Sequence, residues 1–157
     1  MSDTAGVLRV HKDELAGRYL TFRLGENTYG VELMKVIDII TIQAITSVPY
    51  VPDYVKGIIN LRGKIIPVID MRIKFSLPPV GYDDRTCIIV IEMDRIQVGM
   101  IVDTVSEVLT FDAESLTLIP EFDRYNNNKY LSSIGRVGDK LVMNLNCQKI
   151  FVEDSGQ

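Results

Sequence analysis

Histidine, cysteine and paired carboxylates carry most protein chemistry, and in this chain they form no working set. The single histidine, His11, sits in a polar stretch near the N-terminus, outside every strand-forming segment. A Ser–His or Cys–His pair on a rigid fold is therefore excluded, and so is a histidine-based metal site. Cys87 and Cys147 are too few for a disulfide framework and lack metal-ligand spacing, so they read as buried free thiols. Asp83-Asp84 is a paired carboxylate, but it follows the Leu77-Pro-Pro-Val-Gly81 break and reads as a solvated loop. Gly135-Arg-Val-Gly-Asp-Lys140 has the glycines of a phosphate loop without its Gly-Lys-Ser/Thr ending, and it precedes a strand, which makes it a hairpin. With no catalytic set and no cofactor motif, binding is what remains. An enzyme working through a carboxylate site would need a deep polar pocket holding carboxylates of perturbed pKa.

The clearest binding candidate is Arg62, in Gly57-Ile-Ile-Asn-Leu-Arg-Gly-Lys-Ile-Ile-Pro-Val-Ile-Asp70. Two apolar β-branched runs flank a polar turn there, which predicts a β-hairpin, with Gly63 supplying a positive φ. Arg62 then sits at the tip, either as a solvated turn residue or as a guanidinium presented to a partner. Asn60 is a turn residue bonding its own backbone or a second contact. Gly57 serves backbone geometry at a strand start or close approach to a partner. Val36 is core or contact on a short helix, and Asp38 points another way, as a surface charge or a contact.

Alternating and apolar runs supply the elements that must position these residues. Arg18–Leu24 alternates, with Leu20, Phe22 and Leu24 on one face, as a half-buried strand does. Gly25–Thr28 is a turn and Tyr29–Leu33 a second strand. Met34–Ile40 suits a short helix or a bent strand, Ile45–Pro49 a short strand, and Pro52–Lys56 one helical turn. Leu77–Gly81 is the strongest breaker and the best candidate for a boundary. Cys87–Ile91 is an unbroken apolar run, a strand covered on both faces. A polar loop at Asp123–Lys129 precedes a last hairpin turning at Gly138-Asp139, and Cys147–Val152 closes the fold.

The two halves repeat. Tyr29–Leu33 matches Val98–Val102, Val36–Ile40 matches Val105–Leu109, Ile45–Pro49 matches Leu116–Pro120, and Gly63 falls against Gly138. Two copies of one β unit predict two small β-barrels packed together. Composition agrees with a globular fold: 46% of residues are hydrophobic and 24% charged. The net charge of −4 offers no overall field for phosphate backbones. A tandem-barrel nucleic-acid binder, the alternative reading, needs a basic groove with exposed aromatics, and this chain has no tryptophan. No apolar run approaches the roughly 20 residues of a membrane span, and Met1–Thr4 does not begin a signal peptide, so a cytoplasmic protein without direct membrane insertion is expected.

Several segments together resemble the CheW-like family of chemotaxis coupling proteins: Val31–Ile40, Ile45–Pro49, Pro52–Gly63 and Ile66–Asp70, with looser matches at Val98–Asp103 and Val105–Leu109. The resemblance covers residues 18 to 152 and is most specific over Lys56–Asp70. It implies an all-β fold of two SH3-like five-stranded barrels, intertwined around a shared apolar core with short helices. A leader would occupy 1–17 and a tail 153–157. It also implies a non-enzymatic adaptor without cofactors, linking the cytoplasmic tip of transmembrane chemoreceptors to the histidine kinase CheA. The binding surface carried over includes Val36, Asp38, Gly57, Asn60 and Arg62. Asp38 is a departure, because many relatives place a glutamate there, and the shorter side chain keeps the charge but loses reach.

Overall fold

The computed structural model describes residues 17–118 and 127–153. The expected leader up to Ala16, His11, the tail beyond Glu153 and most of the Asp123–Lys129 loop lie outside them. Apolar alternation and two-residue turns give eleven strands among the described residues: β1 (Arg18–Leu24), β2 (Asn27–Glu32), β3 (Val36–Thr41), β4 (Val55–Leu61), β5 (Lys64–Asp70), β6 (Cys87–Met93), β7 (Ile96–Val102), β8 (Thr104–Thr110), β9 (Leu116–Leu118), β10 (Leu131–Val137) and β11 (Lys140–Leu145). One helical turn, α1 (Met71–Lys74), follows β5, and 3-10 turns lie at Leu33–Lys35, Ala113–Ser115 and Asn127–Tyr130.

The strands form two sheets, ordered β8-β1-β2-β11-β10-β9 and β3-β6-β7-β5-β4. The internal repeat is real at the level of elements: strands starting at residues 18 and 27 recur at 87 and 96. Neither copy builds a sheet alone. The first strand of each copy pairs with the third of the other, β1 with β8 and β6 with β3. Each copy's second strand takes the other's last in parallel, β2 with β11 and β7 with β5. The break at Leu77–Gly81 therefore divides the two sequence copies, not the two barrels. The five-stranded sheet has the expected strand number, and the other adds the three-residue β9.

Swapping explains the continuous apolar run of β6. Ile89 and Ile91 face the large cluster shared by both sheets, which includes Leu20, Phe22, Val31 and Met100. Ile88 and Val90 face a second cluster inside the five-stranded barrel, with Ile59, Ile66, Val68 and Ile101. Each fully buried aliphatic side chain contributes about 1.5–3 kcal/mol, so this strand anchors both cores at once. A clamp ties the barrels outside the core. Arg72 of α1 donates from Nε and Nη2 to the two carboxylate oxygens of Asp103 at 2.8 and 2.7 Å, and the Gly25 N–H at the β1–β2 turn donates to the same carboxylate at 2.8 Å. The Arg72 hydrogen bonds hold the Asp103 carboxyl below the usual carboxylate range, and those same bonds raise the pKa of Arg72.

Five local expectations change. Met34–Ile40 resolves into the 3-10 turn and strand β3, so Val36 lies on a strand instead of a helix. Ile45–Pro49 contributes one bridge, Thr46 to Ile58, and no strand. Pro52–Lys56 is a single turn closed by Val55 N–H to Pro52 O at 3.0 Å, after which β4 begins. Thr21, on the face of β1 that alternation leaves opposite Leu20, Phe22 and Leu24, is fully buried. It fills the bulge against β8, donating to Glu107 O at 2.7 Å and accepting from Glu107 N–H at 3.1 Å. Cys147 is buried as expected, and burial pushes its thiol up to about 12, but Cys87 is only partly covered.

Candidate docking surface

Ladder pairing of Leu61 with Lys64 leaves Arg62 and Gly63 as a two-residue loop. Both have positive φ, 53° and 88°, which is the type I′ geometry whose twist matches the flanking strands. Asn60 Oδ1 accepts the Gly63 N–H at 2.9 Å, so Asn60 is the turn residue bonding its own backbone. A left-handed arginine costs about 1–2 kcal/mol relative to glycine. The turn thus carries a side chain its backbone does not favour.

That side chain meets Asp38. Arg62 Nη1 lies 2.7 Å from Asp38 Oδ2, with Arg62 75% exposed and Asp38 20%. Asp38 is fixed on its other side by accepting the Ile39 N–H at 2.9 Å. β3 and β4 are the two edges of the five-stranded sheet, and strands lie about 4.8 Å apart. Edge residues that far apart in a flat sheet meet only because the sheet curls into a barrel. The ion pair marks its seam. An exposed pair of this kind contributes about 0–1 kcal/mol to stability, so its charges remain available to other groups.

Val36 precedes Asp38 across a bulge in the β3–β6 register and packs partly against the shared core. The bulge turns Ile37 out. Met34, Ile37 and Ile39 are each 43–44% exposed along this stretch; a helical spacing of Met34, Val36, Ile37 and Ile40 does not single out Ile39, which the strand turns to the surface. Gly57 stands apart from the other four. It is buried, has φ +149°, and a Cβ there would run into the Thr46 carbonyl. The close approach it permits is to the chain's own backbone. Among the described residues no three His, Cys, Asp or Glu side chains converge as metal ligands would.

Sequence comparison agrees with this architecture. Residues 18–155 match the CheW-like domain. The chemotaxis protein CheW of Klebsiella aerogenes is 35% identical over 151 residues, covering 96% of this chain and 91% of that protein. The chemotaxis protein CheW of Bacillus subtilis is 30% identical over 140 residues, covering 89% and 90%. The crystal structure of scaffolding protein TtCheW from Thermoanaerobacter tengcongensis superposes with a TM-score of 0.80 at 32% identity, over 87% of this chain and 92% of that one. The chain belongs to the CheW-like family, and is a chemotaxis adaptor built on two SH3-like β-barrels, not an enzyme.

Proposed function

We propose that this adaptor couples transmembrane chemoreceptors to the histidine kinase CheA at membrane-associated arrays, acting from the cytoplasm. The Asp38–Arg62 pair carries the reading. It holds two complementary charges on a rigid edge where they stabilise the fold little. Met34, Ile37 and Ile39 supply apolar area beside it. A partner would bury that apolar strip for affinity, because a few central residues dominate most interfaces. It would read Arg62 and Asp38 for orientation and selectivity. Val36 and Asn60 belong to the same seam, and Gly57 supports it from beneath by letting Thr46 dock on β4. Receptor and kinase grip different faces of a stiff β scaffold. A signal passes as a small change in how those faces hold their partners, a coupling typically about 1–3 kcal/mol.

Co-purification of the chain with a receptor cytoplasmic hairpin and CheA tests the reading. Arg62→Glu is expected to weaken recruitment of receptor or kinase at least tenfold while the melting temperature stays within a few degrees. Equal recruitment by the variant, or no binding of either partner by the unaltered chain, would sink the assignment.

A further inference from the structure

A shallow, solvent-open cleft of about 390 Å3 lies beside the Arg72–Asp103 clamp, on residues other than those of the docking seam. Its walls include Arg23 near the end of β1, Arg72 of α1, Arg85 just before β6, and Val80–Gly81 of the segment joining the two repeats. Two carboxylates also line it, and both are already engaged. Asp103 holds Arg72 and the Gly25 N–H. Asp83 is folded onto its own turn, accepting from the N–H groups of Arg85 and Thr86 at 2.8 and 3.2 Å and from Thr86 Oγ1 at 3.3 Å.

The arginines are not equally occupied. Arg72 also donates to Pro78 O at 2.8 Å and is a fixed wall. Arg23 makes one long bond, 3.4 Å, to Gly25 O. Among the described residues the Arg85 guanidinium has no hydrogen bond or ion pair. Three arginines and two committed carboxylates line the cleft, a local positive excess on a chain of net charge −4. A guanidinium fork matches carboxylate or phosphate. One fork engages both oxygens of a carboxylate, as Arg72 does with Asp103. Two further forks from separate elements suit a group with three terminal oxygens sharing two negative charges. The cleft is also several times larger than one phosphate, leaving room for an organic moiety along Val80–Gly81.

We propose that this cleft binds a small organic phosphate, its phosphoryl oxygens held by Arg23 and Arg85 with Arg72 as the fixed wall. Amide NMR titration of the full chain with glycerol phosphate, inorganic phosphate and succinate tests it. Saturable shifts at Gly25, Gly81 and Arg85 are expected, with glycerol phosphate binding more tightly than inorganic phosphate and succinate weakest. Arg23→Ala with Arg85→Ala should weaken glycerol phosphate binding at least tenfold at unchanged melting temperature. Arg23→Lys with Arg85→Lys, which keeps the charge but loses the forks, should also weaken it and covers the case of an unfolded alanine variant. Shifts that fail to saturate, match sodium chloride at equal ionic strength, or are as strong with succinate would overturn the proposal. So would undiminished binding by either double variant.

Discussion

The two barrels are built from the same element plan yet solve their seams and interiors differently. In the five-stranded barrel the seam is closed by Asp38 and Arg62 at 2.7 Å; in the six-stranded barrel the matching strand β8 supplies Glu107, which meets Lys140 of β11 at 3.2 Å. Asp38 is mostly covered, whereas Glu107 is 54% exposed. The cluster inside the five-stranded barrel is aliphatic, with buried Asp70 and Thr86 only at its strand ends. The six-stranded one buries Thr21, Ser133 and Asn144. Asn144 pairs across the parallel joint with Gly30 as Val68 does with Gly99. Its Nδ2 donates to Ser133 Oγ at 3.1 Å, while its Oδ1 is buried without a hydrogen-bond partner. Volumes are traded as well. Gly135 accommodates the Phe111 ring, where the corresponding positions of the other barrel hold Ile59 and Ile42, both aliphatic. One plan thus tolerates opposite core chemistries, provided each local set is complementary.

The largest expected effect tests the β4 bulge. Register slips between Val55 and Gly57, and between Leu131 and Ser133 at the matching place in β10. Gly57→Ser would install the other barrel's residue, but with φ +149° and the Thr46 carbonyl against it we expect a loss of about 3 kcal/mol. That is a fall of roughly 6–12 °C in melting temperature. A shift under about 2 °C would mean that Thr46 simply gives way. Next comes the clamp that joins the barrels. Arg72→Ala should cost about 2 kcal/mol, since hydrogen bonds to a charged group are lost. The folded pKa of Asp103 is depressed below its ordinary 3.8, so its contribution is present above about pH 4 and disappears as pH falls through the folded value. The melting difference between the unaltered chain and Arg72→Ala should therefore narrow from pH 7 to pH 2. A constant gap would refute the electrostatic origin.

Asn144→Val carries the aliphatic solution into the polar barrel. It removes an orphaned buried oxygen, a cost of about 1–3 kcal/mol, against the loss of one hydrogen bond worth about 1 kcal/mol. Urea unfolding should show a net gain of about 0–2 kcal/mol, and a clear loss would show that the Asn144–Ser133 contact does more than the aliphatic joint. The smallest stability effect is expected at the seams. Arg62→Glu and Lys140→Glu should each change stability by less than about 1 kcal/mol. Only the Arg62 change should disturb recruitment of receptor or kinase in pull-downs; equal losses from both would erase the functional distinction between the seams.

Much of the secondary structure was legible because it depends on neighbours in sequence. Alternation in Arg18–Leu24, the apolar run at Cys87–Ile91 and the Arg62-Gly63 turn each became the expected element. The repeat was legible too, with one slip. The repeat sets Gly63 against Gly138, yet Gly63 is the second loop residue of its hairpin and Gly138 the first, because Val137 pairs with Lys140. Arg62 has the positive φ that its partner turn assigns to glycine. The Arg23, Arg72 and Arg85 cleft left no trace in sequence, since its members are 13 or more residues apart on separate elements. Thr21 read as a surface residue because a bulge is made by two strands, and the second, β8, lies 86 residues away at Glu107.

By itself the sequence determined that this is a duplicated β unit with one well-made hairpin, a single histidine and no catalytic set. Periodicity, turn chemistry and composition are local properties. Which copy's strands pair, that Asp38 reaches Arg62, that Gly57 serves Thr46, and that Asn144 sits where its counterpart is valine all depend on the closed fold. The physical reason is that both copies carry nearly interchangeable strands. Their pairing is selected by side chains that meet across the completed sheets, and those contacts exist only once the chain has closed on itself.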